Sequence, residues 1–330
     1  MPIAAGALLL CLLNGAALGD ECQLHRLASF DLPETQDGGV GVPASIDGVQ
    51  KYMHLDTGSP VTGLSPEVAK ELGLANRPIA RDDFMNAYGQ TFTQVALIHS
   101  LTIGQMHAEG VRALMWPSPL SDDGSVAGVL GADVLRHYDI DLDFPDHKVG
   151  FFSQDHCPGK VVYWAATSVA VIPVRVVRTG HIIVPVTLDG HAFDALFDTG
   201  DANMHLTATA GRQVFGLSPV SPGMIKHEAR DGEPVTYEHT FGSLELEGIT
   251  INNPRVRIMD DFVSESLARD ASKDDHTVDV DPDYGITSLV LGTGQFRNLH
   301  IYIAYGEQKL YISAGSAQPV PAAKNDTISH

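Results

Sequence analysis

"VPVTLDGHAFDALFDTG", residues 184–200, is the stretch on which the fold turns. Apolar and polar residues alternate up to Asp189–Gly190, a dipeptide suited to a two-residue hairpin turn, and a second run then ends in Asp-Thr-Gly. The pattern also stands 142 residues earlier as "VPASIDGVQKYMHLDTG" (42–58), ungapped and identical at seven of 17 positions. Average residue usage would give roughly one identity by chance.

The likeness extends outward. "YGQTFTQVALIHSLTIG" (88–104) lies over "DGEPVTYEHTFGSLELE" (231–247), and "VLGADVLRHYDIDLDFPDHK" (129–148) over "VLGTGQFRNLHIYIAYGEQK" (290–309). The offset grows between these pairs because the second half carries an insertion, chiefly the acidic run "SESLARDASKDDHTVDVDPD". The chain therefore reads as an internal duplication whose unit is too long for a solenoid. Each copy reads as mostly strand. A further hairpin is expected around Thr179–Gly180, and terminal hairpins with turns at Pro145–His147 and Gly306–Gln308. In the first half one helix is expected, "SPEVAKELG" (65–73), with Ser65 as N-cap, Pro66 first and Gly73 at its end.

The expected organisation is a signal peptide over 1–19, a first lobe over 20–157, a linker over 158–168, a second lobe over 169–315 and a disordered tail over 316–330. "MPIAAGALLLCLLNGAALG" has an apolar centre and small residues before Asp20, which suits cleavage near Gly19, although the usual starting Lys or Arg is missing. That places the mature protein in the periplasm or outside the cell, with no membrane span. Cleavage would leave Cys22 and Cys157, either as one disulfide closing the first half or as two free thiols. A formal charge of −20 without a basic stripe excludes nucleic acid as partner.

Two equivalent halves can set two equivalent carboxylates beside one pseudo-twofold axis. Such a pair cannot ionise fully, so it shares one proton, with one member as base and the other as acid. A water between them can lose a proton to the base and attack an amide carbon while the acid donates to the carbonyl oxygen. Gly permits backbone close to a carboxylate, and a Thr hydroxyl can reach across the axis.

"LDTGSP" and "FDTGDA", each followed by "VLG", resemble the retropepsin-like and pepsin-like aspartic peptidases over about 285 residues. The resemblance implies two β-barrel lobes with a cleft between them, as in a retropepsin dimer of the bacterial exported kind fused into one chain. It implies that Asp56 and Asp198 are the catalytic dyad and that Thr57, Gly58, Ser59, Thr199, Gly200 and Asp201 build the loops. Val129, Leu130 and Gly131, with Val290, Leu291 and Gly292, become the supporting strands, and Tyr88–Gly89 the flap tip, matched by Asp231–Gly232 in the second half. The implied enzyme is an endopeptidase that takes an extended peptide or unfolded protein and works as a monomer without metal or cofactor.

Ser59 fits the family pattern, its hydroxyl able to bond a catalytic carboxylate, whereas Asp201 departs from it. Asp201 either points at Asp198 and adds a third acid to the site, or turns to solvent or a backbone amide. His54 shares a strand face with Asp56, as a tuning residue or an ordinary buried histidine. "DVDPDYG" (279–285) misses the calcium-loop spacing, and "NDT" (325–327) is a glycosylation acceptor only in a eukaryote. The competing reading is a non-catalytic module of the same fold that binds peptides or a protein partner.

Overall fold

The computed structural model describes residues 23–32, 39–79, 85–87, 90–116, 126–228, 235–259 and 287–314. The expected signal segment, Cys22, the tips Tyr88–Gly89 and Asp231–Gly232, the acidic insertion with "DVDPDYG", and the tail with "NDT" lie outside the described residues. The described chain is mainly β, with a few short helices. No helix among the described residues is long and apolar enough to cross a membrane.

The first half closes a sheet on itself. Gly41–Ile46 and Val49–Leu55 form the expected hairpin across Asp47 and Gly48, whose φ of 46° and 86° suit a turn matched to strand twist. Val126–Leu130 runs parallel to Val49–Leu55 and antiparallel to Gly63–Leu64. Gly63–Leu64 pairs with Met106–Met115, which pairs with Gln94–Ile103, and Ser45 opposite Thr102 returns the ring to its first strand. Closure leaves little unpaired edge for another chain to extend.

The second half repeats this order register for register. Ile182–Leu188 and His191–Asp198 form the hairpin across Asp189 and Gly190, with Leu289–Gly292 parallel to the latter and antiparallel to Met204–Thr207. Met204–Thr207 pairs with Arg255–Met259, and that strand with Thr236–Thr240. One long hairpin of the first half is here broken into two collinear pieces, Thr236–Thr240 with Ser243–Leu246 and Ile249–Asn252 with Arg255–Met259. The break falls where Asn253 takes a φ of 52° and Pro254 has no N–H to give the ladder.

A six-stranded sheet joins the halves, in the order Arg26–Asp31, Lys148–Phe152, Asp139–Asp143, Leu299–Ala304, Lys309–Ala314, Ala170–Pro173. Its middle pair, Ile140 opposite Ile303, is antiparallel and comes one strand from each half. Both terminal hairpins fall where the sequence puts them, with His147 at φ 51° and Gln308 at φ 54°. Alternation sets Asp139, Asp141 and Asp143 on one face of this sheet, and all three are buried. Buried charge needs partners. His156 Nε2 meets Asp139 at 2.6 Å, His300 Nε2 meets Asp141 at 2.6 Å, and the Tyr163 hydroxyl donates to Asp141. Tyr163 and Trp164 belong to the expected linker, which is packed onto the sheet, with Trp164 stacked on His300 at 4.0 Å. Cys157 is disulfide-bonded.

The helix Pro66–Glu71 starts as expected, Ser65 Oγ accepting from Val68 N, and Gly73 at φ 63° follows its end. The first half also holds a second helix, Ala132–Leu135, too short to leave a periodic pattern. In the second half Ala208–Phe215 is a further helix, capped by Thr207 and ended by Gly216 in the left-handed region.

Candidate active site

Each Asp-Thr-Gly stands where a barrel strand ends against its parallel neighbour. Leu55 lies opposite Leu130, and Asp56 N donates to Leu130 O at 3.0 Å. Asp198 lies opposite Gly292 in the matching position. The chain then loops past the glycine that ends the supporting strand. A Cβ on Gly131 would lie 2.3 Å from the Val61 carbonyl carbon, and one on Gly292 would lie 2.1 Å from Asn203 O, so neither position admits a side chain. Ala132 N to Ser59 O and Thr293 N to Asp201 O, both 2.8 Å, tie the loops to the chain beyond those glycines.

The two loops lock each other. Thr57 Oγ1 donates to Phe197 O at 2.7 Å and accepts from Thr199 N at 3.1 Å. Thr199 Oγ1 donates to Leu55 O at 2.6 Å and accepts from Thr57 N at 3.0 Å. Both threonines have no exposed surface, so these four bonds are shielded from competing water.

That lock brings the acids together. A Cβ on Gly58 would fall 2.3 Å from Asp198 Cγ, and one on Gly200 would fall 2.5 Å from Asp56 Cγ. Each carboxyl group thus rests on the glycine of the opposite loop, and the two are near enough to share a proton. Both residues are largely buried, with part of their surface left exposed.

The pair is not electrostatically symmetric. Burial raises Asp56 above the usual carboxylate range, against the bond from Asp198 and the amides of Ser59 at 2.8 Å and Gly58 at 3.0 Å. Asp198 is raised well above that range, by burial, then by the charges of Asp56 and Asp201, and among the described residues accepts from one amide, Gly200 at 2.8 Å. Burial and like charge thus hold a proton on the pair above the usual carboxylate range, shared between Asp56 and Asp198.

Asp201 turns away from the dyad. Its Oδ1 accepts from Asn203 N at 2.7 Å and its Oδ2 meets His205 Nε2 at 2.6 Å. Burial opposes its ionisation, but these bonds outweigh it and hold Asp201 below the usual range. It therefore acts on the dyad as a fixed negative charge rather than as a third proton carrier. Ser59 departs from expectation: its amide, not its hydroxyl, serves Asp56, and Oγ donates to Val61 O at 2.8 Å because the tight turn puts that carbonyl nearer. His54 is buried, with its ring against Gly39.

Sequence reasoning missed three side chains that shape the site. His205 holds Asp201, and its only signal was the spacing of four residues. Asp133 Oδ1 accepts from both Thr62 N and Thr62 Oγ1 at 2.8 Å and so fixes the loop beyond Ser59. Tyr305 is buried close enough to feel the charge of Asp56, and burial first and that charge second push its phenol far up.

The strands Met85–Ala87 and Gln90–Phe92 pair with Ala87 opposite Gln90, on either side of the expected flap tip Tyr88–Gly89. Among the described residues no cluster of His, Cys, Asp or Glu is arranged to hold a metal ion. Residues 42–134, which contain the first Asp-Thr-Gly and Val129–Leu130–Gly131, match a family model described as aspartyl protease. No curated protein matches the chain.

Proposed function

We propose that the protein is an aspartic endopeptidase whose catalytic pair is Asp56 and Asp198. The observation that carries this reading is the mutual seating of the two carboxyl groups, each on the glycine of the other loop. The aspartyl protease match over 42–134 supports the general activity.

In the proposed reaction a water bridges the pair beneath the scissile amide. Asp56 takes a proton from it, the hydroxide attacks the carbonyl carbon, and Asp198 gives its proton to the carbonyl oxygen. The tetrahedral gem-diol then collapses as a proton passes to the amide nitrogen, which breaks the C–N bond and frees acid and amine. Carboxylates and water suffice for each step. The substrate is an extended peptide or unfolded protein lying across the pair, and the hairpin around residues 88–89 covers it.

The halves descend, in this reading, from one duplicated unit, so a single chain supplies both aspartates and the working form is a monomer. The division into lobes over 20–157 and 169–315, and export after cleavage near Gly19, belong to the same proposal. A quenched-fluorescent peptide library assayed from about pH 3 to 8, around the ordinary carboxylate range, tests it. Turnover that Asp56→Asn and Asp198→Asn each abolish is the expected result. Binding without turnover by the wild-type chain would instead establish the non-catalytic module.

A further inference from the structure

The two halves match strand for strand, so positions in the same register can be compared directly. In the first half Gly63, on the strand leaving the catalytic loop, sits opposite Leu114, and Leu114 opposite Val95. In the second half the same places are His205 opposite Arg257, and Arg257 opposite Glu238. Val129 and Val290, from the two supporting strands, flank Gly63 and His205 alike. The equivalence is therefore anchored in both strand directions.

Chemically the two walls are opposites. Around Gly63 stand Phe92, Val95, Leu114 and Trp116, the rings of Phe92 and Trp116 5.0 Å apart, and Trp116 covers the space a side chain at Gly63 would take. Around His205 stand charged groups whose partners can be counted. Glu238 is satisfied by Arg255, Nε to Oε1 at 2.6 Å, with His227 Nε2 at 3.5 Å. Asp201 is satisfied by Asn203 and His205. Arg257 is left over. Its Nε is buried with no hydrogen-bond partner among the described residues, and so is Nδ1 of the neighbouring His205. A buried guanidinium nitrogen without an acceptor costs stability, which evolution tolerates where a ligand supplies the acceptor. The place is suited to one, because His205 is held by Asp201 of the catalytic loop itself and Arg257 stands beside it on the same face.

We propose that the His205–Arg257 wall is a subsite for a carboxylate-bearing side chain of the substrate, whereas the same place in the first half is closed by buried Leu114 and by Trp116. This inference rests on the aspartic peptidase reading. It narrows the substrate to peptides with Asp or Glu at one position near the scissile bond. Arg257 recognises the acid through its planar fork.

The test uses peptide pairs that differ only in Glu against Gln, with the variable position moved stepwise across the bond cleaved by the full chain. At one position kcat/KM for Glu should exceed that for Gln by about tenfold to a hundredfold, the range of a charge-assisted hydrogen bond. Arg257→Leu, which installs the first-half residue, should bring that ratio to about one, and Arg257→Lys should keep part of it because charge survives without the fork. Arg257→Gln serves the same purpose should the Leu variant melt early in circular dichroism. Equal rates for Glu and Gln at every position, or a preference that survives loss of Arg257, would overturn the subsite. If no peptide is cleaved, the peptidase reading fails separately. The same pairs titrated onto Asp56→Asn by fluorescence anisotropy then decide the subsite alone: tighter Glu binding supports it, equal Kd values end it.

Discussion

Replacing Thr57 by Val keeps the shape of the side chain and deletes one hydroxyl. Two partners are then stranded, Phe197 O, which accepted at 2.7 Å, and Thr199 N, which donated at 3.1 Å. Thr57 and Thr199 have no exposed surface, so water cannot replace the missing group without opening the junction. An orphaned buried polar group costs about 1–3 kcal/mol, which puts Thr57→Val at about 2–6 kcal/mol. Thr57→Ser keeps the hydroxyl and loses one methyl, at about 1 kcal/mol. Against a total stability of about 5–15 kcal/mol for a folded domain, the Val variant should be visibly weakened. Urea unfolding followed by fluorescence has reporters on both sides, Trp116 in the first barrel and Trp164 on the joining sheet. The expected order of stability is wild type, then Ser, then Val, and Thr199 should repeat it because its hydroxyl makes the mirror pair of bonds. A Val variant as stable as the Ser variant would refute the reasoning, since the hydroxyl bonds would then contribute nothing net.

Gly58→Ala forces a methyl group to within 2.3 Å of Asp198 Cγ, so the carboxyl must move. Peptide hydrolysis should fall by about a hundredfold or more, the usual consequence of a misplacement near 1 Å, while circular dichroism stays native; near-normal rates would contradict the seating of the dyad. Asp198→Asn should abolish cleavage yet stabilise the fold at neutral pH. The raised carboxyl contributes stability that is complete below about pH 3.9 and lost as pH climbs through its folded value, a loss Asn cannot suffer. Thermal melts should therefore show the variant ahead at pH 7 and level with wild type near pH 3, and a variant less stable than wild type at pH 7 would count against the assignment. Asp201→Ser removes a negative charge that raises both Asp56 and Asp198. The shared proton should then leave at lower pH, moving the alkaline limb of the rate profile downward; an unmoved limb would mean that Asp201 does not reach the dyad.

What the sequence made legible was whatever the two halves have in common. Asp56 and Asp198, the threonines that cross-bond, and the glycines that admit backbone at 2.3 Å and 2.1 Å all recur in register, because each physical demand exists twice. Elements read from local chemistry also held, such as the Asp189–Gly190 turn and the Ser65 cap. What stayed hidden exists once. His205 looks like an outward strand residue until its bond to Asp201 is drawn, and Asp139, Asp141 and Asp143 alternate like a solvent face until Tyr163 and Trp164 cover them. Arg257 is the sharpest case. Periodicity puts it on a strand, but only the pairing of that strand sets it against His205 and opposite Glu238, where Leu114 and Val95 stand in the other half. A duplicated fold can share its chemistry between copies while the substrate it accepts depends on where they diverge. In the proposed reading, the repeat carries the reaction, and the broken symmetry of Leu114 and Arg257 the choice of peptide.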